Sequence, residues 1–394
     1  MTKRRANEPK REAVQKRRAA GASETRMPAV RRQIDELDAR LVELLNQRAE
    51  LAKEIGVLKA IVGAKAYAPA REMEVYRRVA AMNKGPLSDE ALRAVYREVM
   101  SAAIALEQPI RVMYFGQPGS FTHAAAREKF GAMVEYEAAA DPRDAALAVE
   151  RGRADYAVLP VENSTEGGVS QTLDLLMETR LRIISEAYLP IHLHLLSQEP
   201  LSRIRTVYSH PQPFSQSRRW LSMHLGAAAQ TVSLSTAAAA ELAAKTPRSA
   251  AIGGLQAAEL YGLPVRARNI EDRSDNITRF IVLGDAIVPP TGCDKTSIAV
   301  SAKNEAGALF KLLRPFEEKG VSMTRIESRP NRRKAWEYVF FVDFEGHVED
   351  WSVKEALKEM RSLSRHMEVL GSYPRADHVR GFAKRQSAGI PKNR

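Results

Sequence analysis

The 394 residues carry a net charge of +12, 44% hydrophobic side chains and one cysteine, Cys293. A chain of this length holds two to four domains, and its composition is that of a soluble globular protein. One cysteine excludes an internal disulfide and a cysteine-based metal cluster, and no apolar run reaches the roughly 18–20 residues of a membrane span.

The excess charge sits at the two ends. Residues 1–26 hold nine Lys/Arg against Glu8, Glu12 and Glu24, and residues 373–394 hold six against Asp377. Basic tails so poor in apolar residues predict disorder rather than nucleic-acid recognition, and the body between them is near neutral. Residues 1–27 therefore read as a disordered basic extension, dispensable or a misplaced start, and residues 374–394 as a basic tail. The N-terminus lacks the apolar core of a secretory signal, and a lone cysteine suits a reducing cytoplasm.

From Ala29 to Ile61 the residues Ile34, Leu37, Leu41, Leu44, Leu45, Leu51, Ile55 and Leu58 recur at helical spacing, interrupted by Gly56 alone. Two shorter helices are predicted, Pro69 to Met82 with Pro at its start and Ser88 to Glu107 with Ser88 as N-cap. Two short helices cannot cover so long an apolar stripe, so the pattern predicts a dimer with the long helices side by side. Arg48 and Lys59, eleven positions apart, share one face about 16 Å apart. Arg31 falls on another face and would reach the same ligand only from a second chain. A long helix with a solvated basic face is the plain alternative.

In Val30-Arg31-Arg32-Gln33-Ile34-Asp35, Pro69-Ala70-Arg71-Glu72 and Arg97-Glu98-Val99-Met100-Ser101, residues 28–108 resemble the all-helical chorismate mutases. That family is an intertwined dimer of three-helix chains. The resemblance implies substrate-binding roles for Arg31, Arg48, Lys59, Arg71, Glu72 and Glu107, with Lys59 and Glu107 catalytic. Guanidinium forks suit the two carboxylates of chorismate, and its rearrangement needs a compact conformer and donors at the breaking ether bond. Glu107 donates only when protonated, so mutase activity is expected to fall as pH rises. Ala68 stands where some relatives have Asp.

Beyond Pro109 the pattern alternates strand and helix, which predicts an α/β body over 110–285 with two lobes and a cleft. Strands are expected at Ile110–Phe115, Ala154–Val161, Arg182–Glu186, Leu189–Leu196, Thr206–Ser209, Thr231–Leu234 and Ala250–Ile252. Polar residues gather where strands meet loops: Ser120-Phe121-Thr122-His123, Glu162-Asn163-Ser164, Ser209-His210-Pro211-Gln212, Ser235-Thr236 and Asn276-Ile277-Thr278-Arg279-Phe280. Singly, such residues are caps and loop histidines.

As a set, with Asn163-Ser164-Thr165-Glu166-Gly167 and Thr278-Arg279-Phe280, they resemble prephenate dehydratase. Its fold is two α/β subdomains around a cleft, like type II periplasmic binding proteins. Its reaction converts prephenate to phenylpyruvate, water and carbon dioxide. The resemblance assigns the essential hydroxyl to Thr278. A Thr hydroxyl is a weak acid, so it donates a hydrogen bond or relays a proton. His123, Glu162 and His210 are unranked supporting groups. Asn163, Ser164 and Arg279 orient substrate or brace the site, Arg279 with a structural role as the alternative. No metal-ligand spacing or phosphate-binding loop appears, so no cofactor or metal is implied.

Pro289-Pro290-Thr291-Gly292 reads as a linker. Residues 295–373 then give strand, helix, two strands, helix and strand, a ferredoxin-like order. Gly307-Ala308-Leu309-Phe310 and Glu327-Ser328-Arg329-Pro330 resemble the ACT domain of prephenate dehydratases, which binds phenylalanine and lowers activity. The resemblance places Asn304 and Ser328 at the amino acid's charged ends and Leu309 near its ring. It includes Gly307, Ala308, Glu327, Arg329 and Pro330 in the effector site. Ser322 replaces an Asn usual in relatives.

The three resemblances in this order imply a bifunctional chorismate mutase/prephenate dehydratase, feedback-inhibited by L-phenylalanine. Its expected partners are chorismate, prephenate, L-phenylalanine and further copies of itself, a homodimer or larger, with no nucleic acid and no membrane. A non-catalytic amino-acid-responsive protein is the rival, and Lys59, Glu107 and Thr278 speak against it.

Overall fold

The computed structural model describes residues 8–302, 305–330 and 338–376, with side chains from residue 26. The chain divides into two compact units, one ending at Ala64 and the other beginning at Lys65. No helix among the described residues is long and apolar enough to cross a membrane.

The first unit is one helix, α1 (Glu8–Ile61). It starts well before the expected Ala29 and takes in most of the segment expected to be disordered, running through Pro28. The reason lies in propensity: that segment is built mainly from Ala, Arg, Lys, Glu and Gln, all strong helix formers, although few are apolar. The apolar stripe of α1 is uncovered along its length, with Ile34, Leu37, Leu41, Leu44, Leu45, Leu51, Ile55 and Leu58 all exposed.

The second unit opens with α2 (Pro69–Met82) and α3 (Asp89–Glu107), as predicted. Asn83 closes their turn by donating to Leu87 O at 2.9 Å and Asp89 Oδ1 at 2.7 Å, and Ser88 caps α3 by accepting from Ala91 N.

Next come β1 (Arg111–Phe115), α4 (Phe121–Phe130), β2 (Glu135–Ala139), α5 (Pro142–Glu150), β3 (Tyr156–Asn163), β4 (Gly167–Gly168), α6 (Ser170–Leu176) and β5 (Arg182–Pro190). The chain then crosses to a second lobe with β6 (His194–Leu196), β7 (Thr206–Ser209), α7 (Pro211–Gln216), α8 (Arg218–Leu225), β8 (Ala229–Val232), α9 (Thr236–Lys245), β9 (Ser249–Gly253), α10 (Leu255–Leu260) and β10 (Val265–Ala267). It returns to the first lobe as β11 (Ile277–Gly284).

The first sheet has the order β2-β1-β3-β11-β5, with β4 on β3; the second has β10-β6-β9-β7-β8. In β11, Thr278 to Gly284 are all buried. A continuous buried run is what a strand covered on both faces requires. The expected strand Leu189–Leu196 is divided instead: β5 continues to Pro190, and 191–193 cross between the lobes. Pro190 cannot donate to a sheet ladder, so pairing ends there. The two crossings are joined, Ile191 N donating to Asn276 O and Ile270 N to Leu193 O, both at 2.8 Å. Glu271 fastens the same hinge, accepting from Leu193 N at 2.9 Å with its other oxygen 2.8 Å from His192 Nδ1.

The C-terminal domain consists of β12 (Asp294–Ala302), α11 (Ala308–Glu318), β13 (Met323–Pro330), β14 (Tyr338–Glu345), α12 (Trp351–Leu363) and β15 (Ser364–Pro374). Its sheet order, β13-β14-β12-β15, is ferredoxin-like. The domain is docked on the first lobe. Arg182 of β5 donates to Val369 O at 2.6 Å and Glu368 at 3.0 Å.

Candidate active site

Thr278 lies opposite Asn163 across the β11–β3 ladder, at the edge where the two lobes meet. Alternation along a strand puts Asn276 and Thr278 on one face and Arg279 on the other. Asn163 is the hub of the first face. Its side-chain nitrogen donates to Thr278 Oγ1 and to Asn276 Oδ1, both at 2.8 Å. Its oxygen accepts from the Thr165 N–H at 3.0 Å and the Thr165 hydroxyl at 2.6 Å. A backbone N–H can only donate, so the Asn163 oxygen must face Thr165 and its nitrogen must face Thr278. The Thr278 oxygen is therefore an acceptor from Asn163, which leaves its own O–H to donate to another group.

Ser164 braces the same corner from the backbone side, donating to Asp275 O at 3.1 Å and accepting from Ile277 N at 2.9 Å. The second lobe reaches in through Gln216 at the end of α7. Its oxygen accepts from Asn276 Nδ2 at 3.3 Å and its nitrogen donates to Thr165 Oγ1 at 3.5 Å. Ser235, the cap of α9, donates to Gln117 Oε1 at 2.7 Å, a second link between the lobes.

Arg279 belongs to the other face. It donates from Nε to Glu186 at 2.8 Å and from Nη2 to the Tyr373 hydroxyl at 2.8 Å, and it binds Asp343 through Nη1. Lys295 donates to both Glu186 oxygens at 2.9 Å, and Ser297 donates to Asp343. Asp343, Tyr373, Lys295 and Ser297 all come from the C-terminal domain. Burial pushes the Glu186 carboxyl up, but Arg279 and Lys295 outweigh it and hold it below the usual range. Burial likewise raises Asp343, and Arg279 outweighs that. Arg279 is thus held by groups of both the first lobe and the C-terminal domain.

The expected supporting groups are spread out. His123 stacks on Tyr114 with centroids 4.6 Å apart, and its Nδ1 accepts from Gly119 N at 3.1 Å. Burial, helped by Arg127, pushes its pKa down and favours the neutral ring. His210 caps α7, its Nδ1 accepting from Gln212 N at 3.4 Å. Glu162 is held by C-terminal-domain Arg325, 3.2 Å from its Nε, and lies 3.7 Å from Arg279.

The mutase candidates fall on both units. Arg31 is exposed on α1, and Arg48 and Lys59 are half-buried there. On α2, exposed Arg71 pairs with Glu74 at 2.7 Å. Glu72 is buried: it accepts from the Tyr67 hydroxyl at 2.8 Å and is 2.7 Å from Lys129 of α4. Glu107 ends α3, half-buried.

Gly307 caps α11 with a left-handed φ of 74°, and Ala308 and Leu309 form the first turn. Along β13, exposure alternates. Glu327 and Arg329 are half-buried, and Arg329 donates to Ser170 Oγ at 2.5 Å, while Ser328 and Pro330 are exposed. Asn304 lies outside the described residues.

Thr165 and Asn276 stand in the polar stretches singled out in the sequence but received no role there, while Gln216, Lys129, Glu186, Lys295, Asp343 and Tyr373 were missed. A signal existed for Asn276, two residues before Thr278 and hence on its face of the strand. The others are brought in by tertiary structure.

Three family models match in order: chorismate mutase type II over residues 30–108, prephenate dehydratase over 112–287 and the ACT domain over 296–361. The bifunctional chorismate mutase/prephenate dehydratase of Aquifex aeolicus (strain VF5) is 44% identical over 352 residues, covering 88% of this chain and 97% of that one. Among solved structures, prephenate dehydratase from Arthrobacter aurescens in complex with L-Phe superposes with a TM-score of 0.63 at 34% identity, over 72% of this chain and all of that one. GqqA, described as a novel type of quorum quenching acylase, has the same TM-score at 32% identity, over 68% of this chain and 99% of its own.

Proposed function

Because this chain belongs to the bifunctional chorismate mutase/prephenate dehydratases and has both activities, we propose that Thr278 carries the dehydration step and that L-phenylalanine, the downstream amino acid, restrains it. The observation that carries this reading is the Asn163 nitrogen 2.8 Å from the Thr278 oxygen. With that oxygen accepting, the Thr278 O–H donates to the departing ring hydroxyl of prephenate. Loss of carbon dioxide supplies the electron pair that aromatises the ring, and the hydroxyl leaves with one proton as water. The side chain polarises that hydroxyl and relays a proton to it.

The mutase half uses Arg31, Arg48, Lys59, Arg71, Glu72 and Glu107 to hold chorismate compact, with Lys59 and Glu107 at the ether oxygen. A second copy covers the apolar stripe of α1, whose eight core-type residues are 46–61% exposed in the single chain. The reading places the protein in the cytoplasm, in keeping with its lone cysteine.

Phenylalanine binds at the first turn of α11, with its carboxylate at the helix N-terminus beside Ser328. Glu327 and Arg329, on the alternate face of β13, pass the effect to the dehydratase loop. Inhibition requires tighter binding to one conformational state, so substrate weakens phenylalanine binding reciprocally. The test feeds chorismate and follows prephenate and phenylpyruvate separately, with and without phenylalanine. Phenylpyruvate that is insensitive to phenylalanine would overturn the regulatory part.

A further inference from the structure

We propose that Asn276 is a positioning residue of the dehydratase reaction, holding the Asn163 amide so that its nitrogen caps the Thr278 oxygen. The inference rests on the reading of Thr278 as the acting hydroxyl.

Four side chains form a closed ring whose donors all run the same way. Asn163 Nδ2 donates to Asn276 Oδ1 at 2.8 Å, and Asn276 Nδ2 to Gln216 Oε1 at 3.3 Å. Gln216 Nε2 donates to Thr165 Oγ1 at 3.5 Å, and the Thr165 hydroxyl returns to Asn163 Oδ1 at 2.6 Å. The direction is forced. The Thr165 backbone N–H needs the Asn163 oxygen, so the Asn163 nitrogen faces Asn276 and Thr278. Asn276 must then show that nitrogen its oxygen, which turns its own nitrogen to Gln216. Donors arranged head to tail polarise and strengthen one another.

The Asn163 nitrogen carries two hydrogens. One goes to Thr278 and the other to Asn276, so both are satisfied only while Asn276 presents an acceptor. Asn276 is 4% exposed, which leaves little room for water to substitute. Without that acceptor a buried N–H loses its partner, and the amide turns to recover one. The Thr278 oxygen then loses its fixed donor, and its hydroxyl becomes free to point elsewhere. Asn276 touches no reacting atom in this arrangement. It acts through Asn163, and because Gln216 comes from the second lobe, the ring closes across the cleft.

The experiment uses the full chain with prephenate as substrate. Asn276→Leu, which keeps the volume and removes the acceptor, is expected to lower kcat by about tenfold or more, with KM shifted less than about threefold. Asn276→Asp, which keeps an oxygen toward Asn163, is expected to recover most of kcat. Asn276→Leu added to Thr278→Ala is expected to cost nothing further, since its effect runs through Thr278.

An Asn276→Leu kcat within about twofold of the native enzyme overturns the proposal, as does a further loss of about tenfold in the double variant. Equal defects in Asn276→Asp and Asn276→Leu overturn it too. A native urea midpoint on the same preparation shows that each variant folds. If Asn276→Leu loses it, Asn276→Ser, too short to reach Asn163, replaces it, and equal rates for Ser and Asp are the contrary result. Thr278→Ala is measured in parallel: full activity there removes the Thr278 reading itself, whatever Asn276 does.

Discussion

Thr278 and Arg279 are neighbours in the chain and stand back to back on one strand. The Thr278 hydroxyl accepts from Asn163 on the cleft side, while Arg279 is buried between Glu186 of the dehydratase lobe and Asp343 of the ACT domain. Thr278 is thus one peptide away from the ion network that docks the ACT domain. Any shift of that domain that moves Arg279 acts on the strand that carries Thr278.

Removing the central cation tests how much this network matters. Arg279→Met leaves Asp343 buried without its charge partner and Glu186 with Lys295 alone. Breaking a buried pair from one side costs about 3–5 kcal/mol. The urea midpoint of the transition reporting the dehydratase and ACT domains should fall clearly below that of the native chain. An unchanged midpoint would show that the network carries little of the docking energy.

Acid should weaken the fold in two stages. His123 and His194 are pushed by burial below their ordinary value of 6.5. The unfolded chain therefore takes up protons first, and stability is lost as pH falls below about 6.5. Glu186 and Asp343 are held below 4.5 and 3.8, so the stability they contribute is present above those values and is lost at lower pH. Unfolding midpoints measured from pH 8 to pH 3 should show both declines, and His123→Gln should shrink the first. A flat profile down to pH 5 would contradict the histidine part.

Gly371 of β15 packs on the main chain of β5, where an added Cβ would run into the Ile183 carbonyl oxygen. Backbone cannot step aside as a side-chain tip can. Gly371→Ala should loosen the ACT domain and make the linker near Pro289 and Pro290 readily cut by protease. Arg182→Met, which removes the donors to Val369 and Glu368, should do so more mildly. Native-like protease resistance in Gly371→Ala would mean that the two sheets part without cost.

The Glu72–Lys129 pair joins the mutase segment to the dehydratase lobe. Lys129→Met strands a buried carboxylate and should destabilise by about 3 kcal/mol, and adding Glu72→Gln should restore part of that. Additive losses would show that the two groups do not depend on each other. The chorismate KM of Glu72→Gln separates the roles: a rise reports contact with substrate, and an unchanged value leaves Glu72 as an anchor.

Much of this was legible in the residues. Helical spacing gave α2 and α3 at their observed bounds, and the order of strands and helices gave the ferredoxin-like domain. The start of α1 was not, because charge was read where helix propensity decides. At the site, Asn163, Ser164 and Thr278 announce themselves by standing where strands meet loops. Asp343 and Lys295 do not, because charged residues read as surface until a domain closes over them. Glu72 shows the same limit: its carboxylate looks ready for a ligand, and only tertiary packing brings Lys129 and Tyr67 against it.

The most direct test replaces one hydroxyl. Thr278→Ala in the full chain, given chorismate with both products followed, should accumulate prephenate at the native rate while phenylpyruvate formation falls by about a hundredfold or more. Thr278→Ser should keep part of the activity. Phenylpyruvate formed by Thr278→Ala at the native rate, or equal loss of both activities, would contradict the role given to Thr278.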